Sequence, residues 1–349
     1  MLFGLAAMPR VFLVFLREGR CFFAKTALLP LIHLISANQE GTEMSRKIIA
    51  LLLAMLMAIG TTAVLAEDAA ITVTDMYGRE ITMTEPATRV VALTAADCEI
   101  LCAIGCEDAL VGRGLYCDYP ESILDVPVVQ SGADTNIEEI LALEPQVVLM
   151  SDMAQSKEVV ELLEQNGVKV VISNAEDIAG TYTAIRMIGA LMGKDAEAEA
   201  MVSDMQATFD EIAAASVNTG KTVYFEVSPL QWGLWTAGSG TFMDELATMC
   251  GLTNAFADVE GWAAISEEQV LERNPDYIVT ITMYYGEGPT PVEEILGREG
   301  WADLKAVVNG DILNADSNAV SRPGPRLKDA AIELYNFVNG VDAEGTPAA

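Results

Sequence analysis

Histidine is almost missing from this 349-residue chain, which has one, His33. His33 falls in an N-terminal stretch that reads as targeting information, so the remainder has no imidazole for a zinc or manganese site. Hydrolytic triads that use histidine as general base are excluded with it. Positive charge is scarce as well. Twenty Lys+Arg face 51 Asp+Glu, a formal net charge of −31, which argues against nucleic acid and anionic membrane surfaces as partners. It suits an exported protein that meets cationic patches on a partner. The apolar run over residues 48–59 is shorter than the roughly 20 residues a membrane span needs. Met44, with Arg46 and Lys47, opens a basic region before that run, and Ala63 and Ala66 supply the small residues a signal peptidase reads. Cleavage near Ala66 is expected, with Met44 rather than Met1 as the true start. No cysteine stands at that point, so a lipid anchor there is not supported.

Cysteine use beyond the leader is odd in number: Cys98, Cys102, Cys106, Cys117 and Cys250. Such a set cannot be fully paired within one chain. Cys98, Cys102 and Cys106 recur every four residues, the spacing of a soft-metal or redox cluster on one helical face. Gly105 is placed to end that helix before Cys106, and cysteine packs well as a small buried hydrophobe. Structural packing is the expected role, with Cys117 the one candidate for a place near a binding site.

Strand-like apolar runs alternate with helical periodicity along the rest of the chain, the α/β pattern. Residues 89–93, 109–112, 146–150 and 168–172 read as buried strands of a first sheet. Residues 97–104 and 156–166 read as its helices. The longest periodic segment, 195–215, has Ala198, Met201, Val202, Met205, Phe209 and Ile212 at helical spacing. It would span about 30 Å, enough for a strut between lobes. A second series of strands follows at 222–227, 276–281 and 311–313, and a last helix at 329–338. An internal repeat ties the halves together: NIEEILALEPQVVL (136–149) matches SEEQVLERNPDYIV (266–279). Each copy has an N-cap residue, a carboxylate two positions later, a short helix, a proline and a buried strand. The plainer reading is a generic helix-to-strand joint.

At this point the residues resemble the Fe3+-siderophore and cobalamin family of periplasmic binding proteins, across nearly all of 71–339. The opening TVTDMYGREITMTEPATRVVAL (72–93), the block YCDYP (116–120), the repeated Glu-bearing helices and SRPGPR (321–326) carry the likeness through their order and spacing. The resemblance implies an α/β fold of two similar lobes with central parallel-type sheets, joined by one long helix and moving little about a hinge. Residues 1–66 would be extension and signal peptide, 67–176 the N-terminal lobe, 177–217 a helical connector, 218–340 the C-terminal lobe and 341–349 a disordered tail. It also implies a monomeric, extracytoplasmic, non-enzymatic receptor of an ABC importer, with no covalently bound cofactor. Its partners would be a metal chelate, a ferric siderophore or corrinoid, and a permease dimer met through Glu138 and Glu268.

Open α/β sheets bind ligands beyond the carboxyl ends of their strands, and flat chelates need aromatic surface with a few polar anchors. Thr94, Ala95, Tyr116 and Tyr119 are the candidates in the first half, and Trp232, Trp235, Trp262, Tyr284 and Tyr285 in the second. Arg322 is placed to meet an anionic oxygen of the chelate. For each aromatic, burial in the core is the competing role. Three other functions stay open: a haem receptor with Tyr or Met as axial ligand, a chelatase-like enzyme of related architecture, and a surface module without a small ligand.

Overall fold

The computed structural model describes residues 70–132, 134–151 and 157–341. The expected leader and signal peptide, Ser156 and the tail from residue 342 lie outside these. Among the described residues no helix is long and apolar enough to cross a membrane.

A hairpin comes first. β1 (Ile71–Thr74) and β2 (Glu80–Met83) pair antiparallel with Ile71 opposite Met83. Asp75 organises the turn, accepting from the Tyr77 and Arg79 amides at 3.0 and 2.9 Å. The same carboxylate accepts from the amide of Ile172 at 3.2 Å, fastening the hairpin to the first sheet.

That sheet has β3 (Val90–Ala92), β4 (Leu110–Gly114), β5 (Val128–Val129), β6 (Val147–Met150) and β7 (Lys169–Ile172), in the order β5-β4-β3-β6-β7. All its pairings are parallel. Both faces are covered, as parallel sheets require, hence the unbroken apolar runs VVA and VVLM. Its helices are α1 (Ala95–Ala103), α2 (Ile137–Ala142) and α3 (Lys157–Gln165). The chain leaves β3 toward β4 and β5 and later returns on the other side as β6 and β7. The order therefore reverses between β3 and β6, and a crevice opens beyond their carboxyl ends.

Two packed helices follow, α4 (Ile178–Leu191) and α5 (Asp195–Ala215). Gly189 allows their close approach, since a Cβ there would stand 2.4 Å from Cβ of Ala198. Ala198, Val202, Met205, Phe209 and Ile212 form the buried stripe of α5. Fully burying a large apolar side chain contributes about 1.5–3 kcal/mol, so this helix is held by packing rather than propensity.

The second sheet contains β8 (Thr222–Ser228), β9 (Trp235–Ala237), β10 (Thr253–Asn254), β11 (Trp262–Ala264), β12 (Tyr277–Thr280) and β13 (Ile312–Asn314). Its order is β11-β9-β8-β12-β13, with β10 also on β8. β8, β12 and β13 pair parallel, as expected, and the unforeseen β10 joins β8 in parallel too, but β9 and β11 run antiparallel to their neighbours. The loops expected to hold Trp235 and Trp262 are thus short strands, β11 at the edge of the sheet and β9 between it and β8, with Trp262 opposite Ala237 and Trp235 opposite Ala264. The surrounding helices are α6 (Phe242–Met249), α7 (Glu267–Arg273), α8 (Pro291–Leu296), α9 (Lys305–Asn309), α10 (Ser317–Ser321) and α11 (Leu327–Asn339).

One buried apolar cluster is continuous across the described chain. It runs from Val73 through Ile188 of α4 and Phe209 of α5 to Phe225 of β8 and Leu334 of α11. Polar ties reinforce it: the Phe242 amide donates to the Glu176 carbonyl at 2.8 Å, and Glu245 accepts from the Ile178 amide at 2.7 Å. A shared core of this kind opposes wide hinge opening.

Candidate functional site

Two hollows lie beyond the carboxyl ends of the strands. The larger, about 800 Å3, sits past β8 and β12 and is lined by Ser228, Trp232, Met283, Tyr284, Tyr285 and Glu294 among others. The smaller, about 280 Å3, takes Thr94, Asp97, Ser151 and Ser173 from the first half and Phe242, Trp262 and Arg322 from the second. Both are where the topology puts a ligand site.

Of the residues expected from sequence, Thr94, Ala95, Trp262 and Arg322 meet in the smaller hollow, and Trp232, Tyr284 and Tyr285 in the larger. Trp232 is 78% exposed and Tyr285 83%, so these rings are not core. Exposed aromatics at such a rim are surface held open for contact. The Trp262 ring rests on Phe242, centroids 5.4 Å apart. Tyr116, Tyr119 and Trp235 line neither hollow. Tyr116 stands exposed, and the Tyr119 ring carries the Arg326 guanidinium at 4.1 Å.

Arg322 differs from expectation. It is 8% exposed, and its Nη1 donates to Glu99 at 3.0 Å and to Asp118 at 2.8 Å. Nη2 donates to the Tyr116 carbonyl at 3.1 Å. Arg326 also holds Glu99, through Nε at 2.9 Å. The pair clamps the start of α11 to α1 and the YCDYP loop, so Arg322 is a wall of the hollow with its charge already engaged.

Two features escaped sequence reasoning. Asp97 lies in the first turn of α1 and is fully buried, facing the smaller hollow. Thr94 caps the helix by accepting from the Asp97 amide, and its hydroxyl donates to Oδ2 of the same residue. Oδ1 has no hydrogen-bond partner. Burial pushes this carboxyl up to about 6, against the pull of the Thr94 and Ser173 hydroxyls. The second feature is an ion network under the larger hollow. Arg298 binds Glu226 in bidentate fashion at 2.6 and 2.9 Å and also pairs with Glu294. Burial raises the Glu226 carboxyl although Arg298 opposes it. Arg298 stacks on Trp301 at 4.4 Å, and Trp301 Nε1 donates to Glu267 at 2.9 Å, which fixes the first turn of α7.

Glu138 and Glu268 are both exposed. Their helices are capped by neighbours: Asn136 accepts from the Glu139 amide at 3.2 Å, and Ser266 and Gln269 form a reciprocal capping box. The Ser266 hydroxyl helps hold the Glu268 carboxyl below its usual range.

The family described as periplasmic binding protein matches residues 90–319. The chain belongs to that family. The uncharacterized ABC transporter substrate-binding lipoprotein YvrC of Bacillus subtilis strain 168 is 30% identical over 275 residues, 77% of this chain and 85% of that protein. The vitamin B12-binding protein of Salmonella choleraesuis strain SC-B67 is 28% identical over 261 residues, 73% of this chain and 92% of its own. A crystal structure of a possible iron-binding (periplasmic solute-binding) protein from Staphylococcus epidermidis ATCC 12228 superposes with a TM-score of 0.63 at 28% identity, covering 73% of this chain and 99% of that one. The periplasmic binding protein is therefore a transport receptor of an ABC importer, extracytoplasmic and not an enzyme, with the two-sheet α/β architecture its sequence implied.

Proposed function

We propose that this receptor captures a metal chelate, a ferric siderophore or a corrinoid, in the crevice between its halves and hands it to a permease dimer. Residues 67–176 act as one lobe, 177–217 as the helical connector and 218–340 as the other lobe, released by cleavage near Ala66. The observation that carries the reading is the set of exposed rings Trp232, Tyr284, Tyr285 and Trp262 around hollows beyond the carboxyl ends of both sheets. A wide, flat or cage-like ligand offers enough apolar surface to cover such rings, and a bare ion does not.

Docking falls to Glu138 and Glu268. In each half a short helix leads into a strand beside the first strand of its sheet, β6 beside β3 and β12 beside β8. Helices that lead into parallel strands run antiparallel to them, so the first turns of α2 and α7 lie on the crevice side of the molecule. Exposed carboxylates there are supported by the helix ends and stand ready for one arginine from each permease subunit. Rim charges of this sort set orientation and association rate more than affinity. Glu138→Ala with Glu268→Ala is expected to keep chelate affinity while losing uptake and transporter-stimulated ATP hydrolysis, each single change doing less. A double variant with full uptake, or one that loses its ligand, would refute the assignment.

A further inference from the structure

The charge of the crevice points to a narrower ligand class, and the step rests on the chelate reading above. Among the described residues, the charged ones lining the two hollows are Asp97, Glu176, Glu287, Glu294 and Arg322. Arg322, the one cation, is taken up by Glu99, Asp118 and the Tyr116 carbonyl. Glu294 shares Arg298 with the buried Glu226, which leaves that group acidic too. The start of α1 would ordinarily attract an anion to its free amides. Here the protein's own carboxylate, Asp97, occupies that first turn.

Asp97 supplies the independent sign of a ligand contact. The residue is fully buried against the smaller hollow, and Oδ1 makes no hydrogen bond of good geometry within the protein, although the Ser173 hydroxyl is near enough to act on the carboxyl. A buried acceptor left unmade is costly. A ligand N–H placed in the hollow would satisfy it. A ligand carboxylate or catecholate would lose its hydration with no free cation to meet it, beside a buried negative charge. We propose that the crevice selects by charge, admitting uncharged or cationic chelates that carry N–H donors and rejecting polyanionic ones, with Oδ1 of Asp97 accepting a ligand N–H.

Equilibrium dialysis of the exported chain near neutral pH tests this with four probes: cyanocobalamin and ferrichrome, rich in amide N–H, against haemin and ferric enterobactin, which carry carboxylates or catecholates. At least one of the first pair should bind, with both anionic probes weaker by about 100-fold or more. Asp97→Asn should weaken the bound amide-rich probe by about tenfold and narrow the gap to the anionic pair. Tighter binding of haemin or ferric enterobactin would overturn the charge selection and leave the chelate receptor standing. Unchanged affinities in Asp97→Asn would overturn the role of Asp97. No binding of any of the four would count against the chelate reading itself. A melting curve of the variant separates a lost contact from a lost fold.

Discussion

Replacing Asp97 by Asn is expected to stabilise the protein at neutral pH while harming its ligand site. The carboxyl has an ordinary value of 3.8 and burial raises it to about 6. Between those values the folded protein holds a proton that the unfolded chain has released, so stability falls as pH rises through that window. Above about pH 6 the penalty is constant, and at 1.36 kcal/mol per unit it comes to about 3 kcal/mol. Asparagine has the same shape and no charge to bury. It weakens the contact with the Thr94 hydroxyl, so the net gain should be nearer 2 kcal/mol. At about 2 °C per kcal/mol for a chain of this size, the melting temperature should rise by roughly 4 °C near pH 7.5. Near pH 4.5 about 1 kcal/mol of the penalty remains, because the unfolded carboxyl is already largely ionised, and it offsets the weakened Thr94 contact, so the two proteins should melt close together. Thermal melts by circular dichroism across that range provide the assay. A variant less stable than wild type at every pH, or a difference that does not shrink on acidification, would refute the reasoning. A gain in stability at the expense of affinity is the trade expected of a strained binding residue.

Arg298→Ala leaves Glu226 buried without its counterion and should cost about 3–5 kcal/mol in urea unfolding. Adding Glu226→Gln to that variant should restore a good part of the loss, and if it does not, the pair is not the source of the cost. Cys98→Ala with Cys102→Ala should lower stability modestly and leave chelate affinity unchanged. Burial pushes the Cys102 thiol up to about 12, and contact with Cys117 together with burial raises Cys98 well above its ordinary range. Both thiols therefore stay protonated, so loss of colour or of metal in the double variant would contradict a packing role.

Periodicity made the scaffold legible where burial is one-sided and long. The limits of α5 coincide with the expected 195–215 because its apolar residues recur over many turns. The repeat exposed α2 and α7 through their caps, Asn136 and Ser266, since capping is local chemistry written within four residues. β9 and β11 were not legible. Three residues give no alternation to read, and their partner is fixed by the sheet rather than by their own sequence. The engaged state of Arg322 was equally hidden, because Glu99 is 223 positions away in the chain. Asp97 gives no signal of its own in the sequence, because any helix favours a carboxylate in its first turn. Only its burial against Ser173 and the hollow distinguishes it.

Intrinsic tryptophan fluorescence of the purified exported chain tests the central claim most directly. Trp232 and Trp262 line the two hollows, while Trp301 is fully buried. Titration with a corrinoid or ferric siderophore that the chain binds should give saturable quenching at one chelate per chain. Quenching should be weaker in Trp262→Phe and Trp232→Phe, and free Zn2+ or Mn2+ should leave the signal unchanged. Saturable binding of the free ions, or a chelate that binds while both tryptophans report nothing, would contradict a chelate receptor whose site lies between the two sheets.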